Sequence, residues 1–150
     1  MYEYKCKILR VVDGDTVDID IDLGFGMWMH KERVRMMGID TPESRTRDKV
    51  EKKFGLASKA RLKELMPVGS MQILKTEIDR SGEDSRGKFG RILGDFFVNQ
   101  NGKDSRATEI LISEGYAVAY HGQSKDDVKE AHLKNRDRLI SEGKVTLWKQ

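Results

Sequence analysis

From Thr16 to Asp22 the chain alternates without a break, with Val17, Ile19 and Ile21 on one side and Asp18, Asp20 and Asp22 on the other. A period of two with one apolar side is the pattern of a half-buried antiparallel strand. Upstream, residues 4–12 are rich in apolar and β-branched residues and read as a partner strand. Cys6 alternates there with Tyr4 and Ile8 and reads as buried. Between the two runs, Asp13-Gly14-Asp15-Thr16 is a turn signal, so the pair reads as a hairpin. Residues 23–30 (LGFGMWMH) read as a glycine-punctuated loop whose large apolar side chains cover one end of the sheet. Residues 31–39 form a third strand that runs into a stiff corner. Pro42 fixes its own φ and turns Thr41 away from helical geometry.

Beyond a polar, basic stretch at 44–49 the period changes. Val50, Phe54, Ala57, Arg61, Leu62 and Leu65 share one helical face, and the helix ends before Pro67 and Gly69. Residues 70–79 return to a strand, and the segment after them reads as a loop. Residues 88–98 form the fifth strand, with Gly90 and Gly94 placed for curvature or a bulge. A turn at 99–102 leads to Ser105, which is expected to cap a helix over 106–114 that buries Ala107, Ile110 and Leu111 and stops at Gly115. Residues 116–122 read as irregular. A last helix runs from Asp126 to Glu142 with Val128, Ala131, Leu139 and Ile140 apolar, and Leu147 and Trp148 pack back onto the body. Five strands, one helix after the third and two helices at the end give a mixed α+β, mainly β, fold. The grouped strands imply an antiparallel sheet that closes as a five-stranded barrel of the oligonucleotide-binding (OB-fold) type with three helices.

Length alters this picture little: 150 residues make one domain, 1–150, with room for a real core. Cys6 is the one cysteine, which excludes an internal disulfide and a cysteine zinc cluster. No run is long and apolar enough to span a membrane, and the first 15 residues lack the apolar core of a signal peptide. The chain as read points to an intracellular protein and a monomer. Charge is more informative. The net +3 hides an acidic half-hairpin, with 9 acidic and 6 basic residues over 1–44, followed by a basic arm with 8 basic and 3 acidic over 45–64. An acidic cluster beside a basic arm suits a cation next to a polyanion; a solvated loop and helix face is the alternative.

Candidate chemistry gathers at the corner. Asp15 lies just past the first turn, and Asp40 and Glu43 flank Thr41-Pro42. If the hairpin packs beside the third strand, Asp15, Asp40 and the Thr41 carbonyl can reach one hard cation such as calcium, which takes oxygen ligands in flexible geometry. Ordinary turn chemistry is the competing reading of each Asp. Arg35 and Arg91 lie within strands among apolar neighbours, where arginine is costly unless paired. Each either grips a phosphate through its fork or pairs with a nearby carboxylate. Glu43 is left to orient or deprotonate a water. The three histidines, His30, His121 and His132, show no metal-ligand spacing. His132 reads as a helix residue partly buried beside Leu133, and none reads as catalytic. Asp18, Asp20 and Asp22 read as a solvated strand face. No glycine-rich phosphate loop is present, which argues against a nucleoside triphosphate user.

These residues resemble a known family. DGDT at 13–16, RVRMMGIDTPE at 33–43 and KFGR at 88–91 are similar to the three signature segments of the thermonuclease, or staphylococcal nuclease, family. VEKKFGLAS at 50–58, EGYAVAY at 114–120 and EAHL at 130–133 with Trp148 extend the resemblance over nearly the whole chain. It implies a five-stranded OB-type barrel with three helices and a calcium-dependent endonuclease acting on DNA and RNA that leaves 3′-phosphate ends. It further implies one calcium ion held by Asp15, Asp40 and the Thr41 carbonyl. Glu43 would act on the attacking water, Arg35 and Arg91 on the scissile phosphate, and Lys88 and Tyr120 in the nucleotide pocket. Phe89 stands where family enzymes often carry a tyrosine. The rival readings are a non-catalytic nucleic-acid-binding module of the same fold and a protein-interaction role for 23–30. The full set Asp15, Arg35, Asp40, Glu43 and Arg91 argues for catalysis.

Overall fold

In a computed structural model, which describes residues 2–77 and 91–147, the alternating stretch at 16–22 lines the inside of a closed sheet. The order is β1 (Glu3–Asp13), β2 (Thr16–Gly24), β3 (Met27–Met36), β4 (Ile39–Asp40), α1 (Lys49–Leu65), β5 (Met71–Thr76), β6 (Ile92–Gln100), β7 (Lys103–Arg106), α2 (Ala107–Ser113), β8 (Val118–Ala119) and α3 (Lys125–Ser141). Lys88, Phe89, Gly90 and Trp148 lie outside the described residues. The large sheet runs β3-β2-β1-β5-β6-β7, and a further pairing of β3 with β6 closes five of these strands into a ring. Inward residues Cys6, Ile8, Val17, Ile19, Val34, Leu74 and Phe96 are fully buried, because period-two apolar positions all turn to the enclosed side. Burial pushes the Cys6 thiol up to about 12, so Cys6 is an inert core residue as expected.

The five-stranded ring with three helices agrees with the sequence reading, and particular elements differ from it. The closing pair is parallel, Val34 against Ile92 and Met36 against Gly94, whereas grouped strands implied a wholly antiparallel sheet. Residues 23–30 are not a loop. β2 continues to Gly24, and Gly24, Phe25 and Gly26 turn through φ of 83, 56 and 75° before β3 starts at Met27. Leu23, Met27 and Trp28 are exposed and Phe25 fully so, and this hairpin tip projects where a cover over the sheet end was expected. The Asp row on β2 is paired as well as solvated. Arg33 forks onto Asp18 at 2.8 and 3.2 Å, and the Lys31 N–H donates to Asp20 at 2.9 Å, holding the Asp20 carboxyl below its ordinary value.

Ser105 does not cap α2. It lies in β7, Arg106 takes the cap position with no side-chain bond, and Asp95 of β6 accepts from the Thr108 hydroxyl at 2.6 Å and the Thr108 N–H at 3.4 Å. Burial raises the Asp95 carboxyl above its usual range, and the Thr108 hydroxyl draws it back. Residues 118–119 of the stretch read as irregular form β8, which pairs with β4. In α1 the buried side is Phe54, Gly55, Ser58, Leu62 and Leu65, with Val50 exposed and Asp48 capping the N-terminus through bonds from the Val50 and Glu51 N–H groups. α3 buries Leu139 alone, against Phe54 and Val145, and Ile140 is exposed. Gly115 and Gly143 take φ of 87 and 74°, so each stops its helix as read.

α1 reaches the corner through a glycine. A Cβ on Gly55 would fall on the Glu43 carbonyl group and 2.6 Å from the Ser44 N. Backbone cannot yield as a flexible side chain can, so only glycine allows this approach. Gly55→Ala is expected to lose about 1–3 kcal/mol in urea denaturation, as overpacked sites do. Unchanged stability would show that helix and corner are not in rigid contact.

Candidate active site

β3 ends at Met36, and Gly38 at φ 82° turns the chain into β4. β4 is held by β8, Ile39 opposite Ala119 and Asp40 opposite Val118, and the Tyr120 N–H donates to the Gly38 carbonyl at 2.8 Å. Thr41 and Ser44 are buried behind the corner, and Asp40 and Glu43 face outward, Asp40 half-buried and Glu43 exposed. The Ser44 hydroxyl donates to Asp13 of the DGDT turn, and the Glu43 N–H donates to Glu51 in the first turn of α1 at 3.1 Å. The Met36 N–H donates to the Asp15 carbonyl at 2.8 Å, which seats the first turn beside the end of β3.

Arg35 braces this arrangement. Its Nη1 donates to the Met36 carbonyl at 2.7 Å and its Nη2 to the Ile39 carbonyl at 3.2 Å, and Nη2 forms an ion pair with Asp15 Oδ2 at 3.2 Å. Asp15 Oδ1 also accepts from the Thr16 hydroxyl at 2.9 Å. Of the two readings of Arg35, the ion pair is therefore present. Two of its five N–H donors are committed to carbonyls, and the side chain lines a cavity.

Asp15, Arg35, Asp40, Thr41, Glu43 and Arg91 line one open cavity of about 420 Å³, together with Asp13, Arg33 and Arg45. Six positions read from three separated segments thus meet at one place. Tyr120 does not line this cavity. It lines a larger neighbouring cavity of about 710 Å³, which shares Asp40, Thr41, Pro42 and Glu43 with the first. Lys88 lies outside the described residues.

Within the smaller cavity Asp15 and Asp40 offer two carboxylates and Thr41 a backbone carbonyl, oxygen throughout, which suits a hard divalent cation. Among the described residues no group of three or more His, Cys, Asp and Glu side chains gathers closely enough to cage a metal.

His132 was read as a partly buried helix residue and nothing more. It is partly buried, but its Nε2 lies 2.6 Å from Asp40 Oδ2. Spacing arguments look for ligands near one another in the chain, and this pair is 92 residues apart. Two signals were available, its place in the EAHL segment at 130–133 and its spacing on one helical face with Lys125, Lys129 and Arg136, which line the larger cavity with it.

Residues 33–150 match the family described as Staphylococcal nuclease homologue. The chain is 31% identical over 140 residues to the SPbeta prophage-derived endonuclease YokF of Bacillus subtilis (strain 168), across 93% of this chain and 42% of that protein. It is 34% identical over 112 residues to endonuclease YncB of the same organism, across 74% of this chain and 46% of that protein. It is 35% identical over 112 residues to the thermonuclease of Staphylococcus intermedius, across 75% and 57%. The chain spans about half the length of these relatives.

Arg35→Lys keeps the charge but cannot reproduce the fork on two carbonyls and a carboxylate. It is expected to lower stability by about 1–3 kcal/mol, the range for bonds to charged groups, in chemical denaturation. Wild-type stability in that variant would show the brace to be dispensable.

Proposed function

The chain belongs to the staphylococcal nuclease homologue family, and from that premise we propose that it is a calcium-dependent endonuclease hydrolysing phosphodiester bonds of DNA and RNA. The observation that carries this reading is the convergence of Asp15, Arg35, Asp40, Thr41, Glu43 and Arg91 on one cavity. The endonuclease and thermonuclease names of its relatives support it.

Each residue has a role in that reaction. Arg35 and Arg91 take non-bridging oxygens of the scissile phosphate and hold the phosphorus in the cavity. Arg35 does so from a fixed position, since its other donors are clasped to backbone, and a donor that need not reorganise stabilises developing charge best. Glu43 is exposed on the same rim, where it orients a water and accepts its proton as the oxygen adds to phosphorus. The bond from phosphorus to the 5′ oxygen breaks, that oxygen takes up a proton, and a 3′-phosphate remains. Asp15, Asp40 and the Thr41 carbonyl would hold calcium, which supplies neutralisation of the charge growing on the phosphoryl oxygens. Tyr120, half exposed in the adjoining cavity, offers a ring for a neighbouring base.

Cleavage of single- and double-stranded DNA and of RNA, each with calcium, magnesium or chelator, tests the reading. Calcium-dependent cleavage is expected, abolished in Asp40→Ala and reduced about 10²–10⁴-fold in Glu43→Gln, the usual contribution of a positioned base. Substrate binding by Glu43→Gln is expected to stay near wild type. Intact binding with no cleavage under any condition would establish a binding module in place of an enzyme.

A further inference from the structure

Asp40 stands on the wall between two cavities, the one lined by Arg35 and Arg91 and the larger one lined by α3. On the α3 side its Oδ2 is met by His132 Nε2 at 2.6 Å, with the imidazole 14% exposed and the carboxylate 40%. The two elements that carry this pair are tied to each other by other bonds. Asn135, one turn beyond His132, donates from Nδ2 to the Ala117 carbonyl at 3.2 Å. Ala117 immediately precedes β8, whose Val118 is opposite Asp40. Leu139 seats the end of the helix against Phe54 and Val145, and the Arg136 guanidinium lies 5.4 Å from the centre of the Phe54 ring. The imidazole is thus delivered to Asp40 by a framework that does not itself depend on the contact.

We propose that His132 is a positioning residue for the cation site. An imidazole that carries a proton on Nε2 donates to Oδ2, stops the Asp40 carboxylate from turning about its side-chain bonds, and leaves Oδ1 for the cation. A ligand fixed beforehand loses less freedom on binding, and such outer contacts are commonly worth a factor of about 10–100 in metal affinity. The proposal rests on the cation reading above and deepens it, because it makes the docking of α3 a condition for metal affinity at the corner.

The test is calcium binding to the full chain by equilibrium dialysis, without substrate, for wild type, His132→Ala and His132→Gln, with circular dichroism to verify the fold of each. Glutamine places an N–H donor close to where Nε2 stands. His132→Ala is expected to bind calcium about 10-fold or more weakly, and His132→Gln to return to within about 3-fold of wild type, a rescue that follows from a restored donor. A purely structural contact would lower the melting temperature of His132→Ala and leave the calcium affinity of the folded protein unchanged, and that result would overturn the proposal. Equal loss in both variants would also overturn it, since the imidazole would then act in some way a simple donor cannot replace. Wild-type protein that binds no calcium would overturn the cation reading itself; wild-type protein that binds, with His132→Ala binding equally well, would overturn the role of His132 alone.

Discussion

A guanidinium in the wall of a small barrel must be held by something, and here Arg35 is held by the segment whose shape it fixes. Its donors go to the carbonyls of Met36 and Ile39, on either side of the Gly38 turn, and to the carboxylate of Asp15 across the first hairpin. The two carbonyls are spent on Arg35 because the chain leaves the β3 ladder at this turn, and half-buried carbonyls without partners would be costly. The cation that fixes the turn is therefore also the one presented to the cavity. Structure and candidate chemistry share one side chain, so a substitution there tests both together.

The remaining supports come from outside the corner. β8 pairs with β4, Gly55 of α1 presses on the Glu43 backbone, Ser44 bonds to Asp13, and the Glu43 N–H is bonded to Glu51. They come from three elements, β8, α1 and β1. A loop tied at so many points keeps little freedom to lose, which is what a preorganised constellation needs. The barrel contributes by closure. Val34 and Arg35 are paired on one side with β2 and, with Met36, on the other with β6, so the strand that delivers the corner has no free edge where it matters.

Much of this was legible in the sequence, and the line between legible and hidden is physical. Alternation at 16–22, the DGDT turn and the α1 period are local patterns, and local patterns map onto local structure. The corner was legible because proline and its neighbours restrict φ and ψ wherever they occur. The hairpin tip at 23–30 was misread because its apolar residues implied burial, whereas backbone twist demanded a turn of positive φ at Phe25. The cap of α2 was misplaced because Asp95 supplies it from across the sheet, and local capping rules see only the residues just before a helix. β8, the parallel closure and the reach of His132 to Asp40 are all long-range pairings with no periodic trace. The six corner residues could be named from chemistry and resemblance; that they face a single cavity needed the fold.

The charges around that cavity have a further consequence for the proposed reaction. Its lining holds Arg33, Arg35, Arg45 and Arg91 against Asp13, Asp15, Asp40 and Glu43. Arg33 is already answered by Asp18, which lies outside the cavity, so the lining keeps a small acidic excess. Such a rim does not attract a polyanion by charge alone, in contrast to a uniformly basic groove. A bound dication would reverse the excess, and one phosphodiester charge would then restore the balance. Cation and phosphate would thus favour each other's binding, and by linkage the help would be mutual. In the proposed reaction, the near cancellation of the corner's own charges would select for a phosphate that arrives with its metal.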